Sequence, residues 1–159
     1  QENSQHYGNG KARFTEIEIN AIDEKGHKKT DIITNDDLVI TTKVIANENI
    51  VESNVAVIIY DSSGYRLIDV NTALKNQYIS LAAGEEIQLK FTINELRLKP
   101  GQYLVGLWIG RPSIEDIDGI LYAKPLTVNM NPKNIMHSQV FPGPYQCEFS
   151  IRKKKSITQ

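Results

Sequence analysis

Hydrophobic and polar side chains alternate along several short segments of the chain, most clearly over residues 84–110. Apolar residues occupy every second position of 87–93, which is the period of a half-buried β-strand. A Lys-Pro-Gly turn signal at 99–101 separates this segment from a second alternating segment at 103–109. The pattern predicts two strands joined by a short connection and a turn.

The same period predicts further strands, of which 55–61 has apolar residues on both parities and is expected to be covered on both faces. A phase slip between Phe14 and Ile17 predicts a β-bulge, and Pro125 is expected at a sheet edge or a bulge. We interpret 111–119 as a polar loop. The remaining predicted strands are 14–21, 38–46, 66–72, 120–122 with 126–130, and 145–151, with a short segment at 32–33.

A helical period is weak everywhere and is best, though short, at 72–77. Short strands separated by Gly, Asn and Asp turns predict an all-β fold, an antiparallel β-sandwich or barrel. We divide the chain into a polar lead-in or linker at 1–10, a β-sandwich domain at 11–151 and a basic tail at 152–159. Because the chain opens on Gln1, we interpret it as a processed chain or a piece of a longer polypeptide.

The last predicted strand follows a proline-rich connection at 131–144. A strand on such a connection can pair within its own chain or with a second copy, and exchange would also cover an exposed sheet edge.

Composition narrows the function classes. The net charge of −1 is untypical of a protein that binds nucleic acid through phosphate contacts. The single cysteine, Cys147, excludes an internal disulfide and a multi-cysteine zinc site. The apolar segments are too short to cross a bilayer. His6, His27 and His137 lie far apart in sequence, which favours structural or solvated roles over metal binding, and we expect no cofactor.

The only tryptophan, Trp108, is predicted to point away from the apolar row of its strand, toward a face that Gly106 leaves bare. Sugars stack on aromatic rings, and their hydroxyls bond to amides, carboxylates and guanidiniums. We therefore hypothesise a carbohydrate site. Its candidate residues are Trp108, Tyr60, Asp69, Asn71, Arg111 and Tyr122.

Two alternatives belong to other function classes. If Trp108 and Tyr60 instead fill the core between the sheets, the chain is a structural or protein-docking β-sandwich. A hydrolase would need a carboxylate pair, either Glu85 with Glu86 or Asp116 with Asp118, at a defined separation. The sequence contains neither a Gly-rich phosphate loop nor a nucleophile elbow, and the acidic segment 116–119 lacks most positions of a calcium loop.

The order of several short motifs resembles one known family. The motifs are Gly8-Asn9-Gly10, the turn at Gly26, Asn35-Asp36-Asp37-Leu38, Val57-Ile58-Ile59-Tyr60-Asp61 with Gly64, Gly84-Glu85-Glu86, and Lys99-Pro100-Gly101-Gln102-Tyr103 before Trp108. In this order and spacing the chain resembles, over residues 7–151, the C-terminal carbohydrate-binding domain of the nucleotide-binding subunit of O-antigen polysaccharide ABC exporters (Wzt-type).

The resemblance implies an Ig-like or jelly-roll sandwich that dimerises by exchanging its last strand. It implies a non-catalytic domain that recognises the modified non-reducing end of the O-antigen polysaccharide. The implied partners are a second copy and the nucleotide-binding and transmembrane subunits of the transporter. The implied location is the cytoplasmic, inner face of the bacterial inner membrane, with the ATPase on a part of the polypeptide that this chain lacks.

Overall fold

A computed structural model describes residues 5–131 and 148–157. These residues form eleven strands and one short 3-10 helix. The strands are β1 (His6–Tyr7), β2 (Ala12–Ile22), β3 (Lys28–Lys29), β4 (Asp37–Ala46), β5 (Ile50–Asp61), β6 (Arg66–Asn71), β7 (Ile79–Leu81), β8 (Glu85–Ile93), β9 (Gly101–Arg111), β10 (Glu115–Val128) and β11 (Phe149–Ile157), and the 3-10 helix is Ala73–Lys75.

The strands form two antiparallel sheets. Sheet A has the order β1-β10-β9-β5-β6, with β7 also paired to β5, and sheet B has the order β11-β8-β4-β2-β3. All interstrand ladders between these elements are antiparallel. The prediction of an all-β, antiparallel sandwich is confirmed.

The core lies between the sheets and follows the alternation seen in the sequence. In β8 the apolar members of 87–93 are buried and the polar members between them are only half-buried. In β5, Val55, Val57 and Ile59 join this core. Ala56, Ile58 and Tyr60 of the same strand form a second, smaller cluster on the outer face of sheet A. This confirms that β5 is covered on both sides.

Bulges appear where the hydrophobic period slips. In β2 the register shifts between Phe14 and Glu16, as predicted. In β10 one register shift lies between Asp116 and Asp118, and a second lies between Ile120 and Lys124. Pro125 follows the second shift, on a part of β10 that β1 leaves unpaired, so its expected position at an edge or bulge is confirmed.

Four segments differ from the sequence interpretation. The polar loop predicted at 111–119 is shorter, because β10 already begins at Glu115. His6 and Tyr7 of the expected lead-in form a strand that pairs with β10. The region interpreted as a basic tail is largely strand, since β11 continues to Ile157. The short segment at 32–33 contributes a single bridge from Ile33 to Asn129 rather than a strand.

The final strand pairs with β8 of its own chain over its whole length, from Phe149 opposite Ile93 to Ile157 opposite Glu85. Its start was predicted at residue 145, and Tyr145 and Cys147 lie outside the described residues. The lysines and arginine of 152–155 thus lie on an edge strand, where charged side chains discourage pairing with other molecules.

Candidate functional site

The outer face of sheet A carries a shallow depression where small side chains lie between large ones. Gly119 of β10 pairs with Trp108 of β9, and Trp108 pairs with Ala56 of β5. Tyr7 lies opposite Gly119 on one side of this row, and Asn71 lies opposite Ala56 on the other. The alanine keeps the floor low, and a cavity of about 280 Å³ results.

Three aromatic side chains, Tyr7, Tyr60 and Trp108, line this cavity. The Tyr7 ring lies directly over Gly119, so any side chain at position 119 would overlap it. The Trp108 indole lies over Gly110 in the same way. Each glycine therefore allows an aromatic ring to lie flat against the sheet.

Gly106 does not leave the outer face bare, contrary to the sequence interpretation. A Cβ at this position would lie 2.5 Å from the Leu121 carbonyl oxygen and 3.0 Å from the Tyr60 ring. The β10 backbone at its second bulge and the Tyr60 ring therefore cover Gly106. The cavity floor is lined instead by Ala56 and Ile58 of β5.

Polar side chains of β5 and β6 form one rim of the cavity. Asn71 Nδ2 donates to Asp69 Oδ1 at 3.1 Å, and Arg66 Nη1 lies 3.4 Å from Asp69 Oδ2. Asn54 Oδ1 accepts from Thr72 Oγ1 at 3.0 Å and from a backbone N–H of the following turn at 2.9 Å. These bonds fix the Asn54 amide, whose NH₂ group has no acceptor among the described residues. A ligand therefore meets one carboxylate acceptor and one free amide donor.

Trp108 is half-buried and packs against the outer cluster that includes Tyr60. Its Nε1 donates to Asp116 Oδ1 at 2.8 Å, which fixes the plane of the ring. Asp116 has no ion-pair partner in the described part of the chain. The indole thus lies on the outer face beside the cavity and not in the core between the sheets.

Tyr7 is held in place through its neighbour on β1. His6 Nδ1 lies 2.9 Å from both carboxylate oxygens of Asp118, which is only 2% exposed. The Phe14 backbone N–H of sheet B also donates to this carboxylate, at 2.8 Å. Burial and then the negative charge of Asp116 raise the pKa of Tyr7 above its ordinary value. The His6–Asp118 pair therefore anchors the strand that places Tyr7 at the cavity.

Comparison with known proteins agrees with the architecture. The sequence matches the Wzt C-terminal domain family over residues 3–143. The chain belongs to this family.

The same family appears among solved structures. The domain resembles a crystal structure of the C-terminal domain of Wzt, with a TM-score of 0.70 and 21% sequence identity over 82% of this chain and 81% of that one. At this identity the likeness shows the shared fold. No curated protein sequence matches the chain. The Wzt C-terminal domain is a family of non-catalytic domains.

Six residues of the domain were predicted from sequence to form a sugar site, and the cavity brings four of them together. These four are Trp108, Tyr60, Asp69 and Asn71. Arg111 lies at the end of β9, with Nη1 3.8 Å from Glu115 Oε2. Tyr122 packs edge-on against Tyr60, with ring centroids 5.6 Å apart. Arg111 and Tyr122 are therefore not among the residues that line the cavity, and a role in binding stays a prediction for all six.

Three further polar or aromatic lining residues, Tyr7, Asn54 and Arg66, were missed. Asn54 shares the parity of Tyr60 along β5, so strand phase alone could have found it. Arg66 reaches the cavity because the register of β5 and β6 shifts beside Tyr60. A two-residue strand such as the one containing Tyr7 has no period to detect.

Three of the four carboxylates considered for hydrolysis have structural partners. The register shift in β10 separates Asp116, bonded to Trp108 on the outer face, from Asp118, bonded to His6 and to sheet B. Glu85 Oε1 accepts from a backbone N–H at 2.6 Å and lies 3.2 Å from Lys155 Nζ. These bonds lower the pKa of Glu85, and the backbone bond lowers it most. The carboxylate therefore has structural partners at the edge of its sheet.

The other candidate ligands are dispersed. His6 pairs with Asp118, His27 lies 3.6 Å from Asp23, and His137 is outside the described residues. Within residues 5–131 and 148–157, no cluster of three or more His, Cys, Asp and Glu residues could hold a metal ion. In the same residues no helix is long and apolar enough to cross a membrane.

Proposed function

We propose that this chain is a carbohydrate-binding module that recognises the modified non-reducing end of an O-antigen polysaccharide. The observation that carries the proposal is the open, aromatic-lined cavity on sheet A in a member of the Wzt C-terminal domain family. Cavities that orient a ligand combine apolar walls with a few fixed polar groups. Three rings beside one fixed amide and one carboxylate are such a combination for a sugar.

Each lining side chain has a distinct task in this mechanism. The C–H face of a sugar ring stacks on Trp108 or Tyr60. Its hydroxyls donate to Asp69, while the free NH₂ group of Asn54 donates to a ligand oxygen. Asn71 holds the carboxylate of Asp69 in place. A chain end that lacks the expected polar substituent leaves these groups desolvated and unpaired, which weakens its binding and allows a completed polysaccharide to be selected.

The family supports a wider role in export. In this proposal the domain works with the nucleotide-binding and transmembrane subunits of an ABC transporter, at the cytoplasmic face of the bacterial inner membrane. Binding of a finished chain at the cavity would then deliver it to the exporter. The ATPase activity belongs to a different part of the polypeptide.

A homodimer with exchanged β11 strands is part of the same proposal. Among the described strands, β11 hydrogen-bonds with β8 alone, so the exchange requires only that the same ladder form with β8 of a second copy. Native mass spectrometry of the chain and of a form ending at residue 148 tests the exchange. A dimer that persists without β11 would contradict it.

Titration with capped and uncapped O-polysaccharide fragments tests recognition. Because Trp108 is the only tryptophan, its fluorescence reports directly on the cavity. Calorimetry then compares variants: Trp108→Ala should weaken binding about tenfold or more through lost stacking and burial. Tyr78→Ala removes an exposed ring outside the cavity lining and serves as the control.

The outcomes separate the competing functions. Equal affinity for capped and uncapped fragments would contradict selection of the finished chain. Absence of binding to either fragment, with unchanged Trp108 emission, would reject the carbohydrate module and favour a structural or protein-docking sandwich.

A further inference from the structure

The charged side chains in and beside the cavity carry a net negative charge. Arg66 is the only Lys or Arg side chain among the described residues that line it, and its guanidinium already lies 3.4 Å from Asp69. Asp116 lies next to the cavity through its bond to Trp108 and has no ion-pair partner in the described part of the chain. One cation therefore stands against two carboxylates.

Neighbouring charged groups leave this balance unchanged. On the inner side of β10, Asp118 pairs with His6. Glu115 lies 3.2 Å from Lys11 and 3.8 Å from Arg111, so both cations are engaged. These contacts leave Asp116 as the uncompensated charge near the aromatic rings.

The pKa of the Tyr7 hydroxyl reflects the same negative charge. Burial is the largest cause of its raised pKa, and the carboxylate of Asp116 is the second. The nearby guanidinium of Arg66 lowers that pKa and only partly offsets the rise. A group at the cavity that carries negative charge is therefore disfavoured, and a ligand anion would meet the same field.

Apart from Arg66 and Asp69, the described residues that line the cavity are uncharged. Ala56 and Ile58 form an apolar floor, and Asn54 offers an uncharged donor. A carboxylate or phosphate is normally bound by an unoccupied guanidinium fork or by several cations. Here an anion would have to compete with Asp69 for Arg66 while losing its own hydration.

We infer that the cavity accepts a neutral terminal sugar, a hexose or an N-acylhexosamine, and rejects a terminus that carries a carboxylate or phosphate. The inference rests on the proposed function and specifies its ligand class. Hydroxyl groups of the neutral sugar donate to Asp69, and its hydroxyl or acyl oxygen accepts from Asn54. An apolar face or acyl methyl group lies on Ala56 and Ile58.

Matched sugar pairs test the charge preference. The probes are methyl glycosides of glucose, galactose, mannose and N-acetylglucosamine, each compared with its uronic acid, in NMR titrations of the whole chain. In any pair that binds, the neutral member should bind about threefold tighter or more at low ionic strength, because Asp69 and Asp116 are exposed carboxylates whose repulsion of an anion is screened by salt.

Charge-neutral variants give the sharper result. Asp69→Asn frees Arg66 and should lower the neutral-to-acid affinity ratio the most. Asp116→Asn keeps an acceptor for the indole N–H while removing the charge, and should lower the ratio less. Glu24→Gln removes an exposed acidic charge from the turn after β2 and should leave the ratio unchanged.

Two failures are distinguishable. If uronic acids bind as tightly as the neutral sugars, or if neither cavity variant changes the ratio, the charge preference is wrong while carbohydrate binding stands. If no member of the panel binds while capped O-polysaccharide fragments do, the inferred ligand class is wrong and the proposed function stands. If the capped fragments also fail to bind, the proposed function fails and the charge preference fails with it.

Discussion

Removal of the His6 imidazole tests the anchoring of β1. Asp118 is 2% exposed, and in His6→Ala it keeps only the N–H bond from Phe14. Breaking a fully buried ion pair by deleting one partner costs about 3–5 kcal/mol. The His6 side chain is 25% exposed, so water can replace part of what it supplies. We therefore expect a loss of about 2–3 kcal/mol in the free energy of unfolding.

A second histidine–aspartate contact provides a matched control. His27 Nδ1 lies 3.6 Å from Asp23 Oδ2, but the His27 side chain is 75% exposed. Exposed pairs of this kind contribute at most about 1 kcal/mol, so His27→Ala should change stability by about 0.5 kcal/mol or less. Urea unfolding followed by Trp108 fluorescence measures both variants.

The His6→Ala and His27→Ala variants should also differ in melting temperature. A loss of 2–3 kcal/mol corresponds to a decrease in Tm of about 5–10 °C for a domain of this size, against about 2 °C or less for the control. Equal losses in the two variants would refute the claim that burial of Asp118 makes the pair strong. Asp118→Asn, which keeps an acceptor for Phe14, should destabilise less than Asp118→Ala.

Two further predictions concern other elements of the sheets. Gly106→Ala should destabilise the domain by about 1–3 kcal/mol, since its Cβ would meet the Leu121 carbonyl oxygen, and calorimetric melting with no loss would show that β10 can move aside. Hydrogen bonds to Asp61, chiefly from Ser63 Oγ and then from the Tyr65 N–H, lower the pKa of this carboxyl group. Its turn is therefore stabilised above the unfolded-state pKa. That stabilisation is lost as the pH falls through the folded-state pKa. Carbon-13 NMR should show this carboxyl titrating below its usual range, and an ordinary midpoint would contradict the bonds.

Features set by local alternation were predictable from the sequence. The buried positions of β8 and the bulge after Phe14 follow from a period of two and a single slip in that period. The outward direction of Trp108 follows from the same rule. Strand phase also predicted that Asp69 and Asn71 share the outer face with Trp108, because β6 is regular at those positions.

Features set by distant contacts were not predictable in this way. Tyr7 reaches the cavity because His6 meets Asp118, a residue remote in sequence. Strand phase is lost across the second bulge of β10, so Tyr122 makes a T-shaped contact with Tyr60 instead of lining the cavity. The polar pattern after Arg111 was interpreted as loop, although backbone pairing with β9 makes most of it strand.

The bond between the indole N–H and Asp116 limits what Trp108 can discriminate. With its only donor occupied, the ring offers a ligand its π face and nothing that distinguishes one hydroxyl configuration from another. Sugar identity must then be read by the amide and carboxylate on β5 and β6. Related domains could retain the tryptophan platform and change glycan preference through substitutions on those two strands alone.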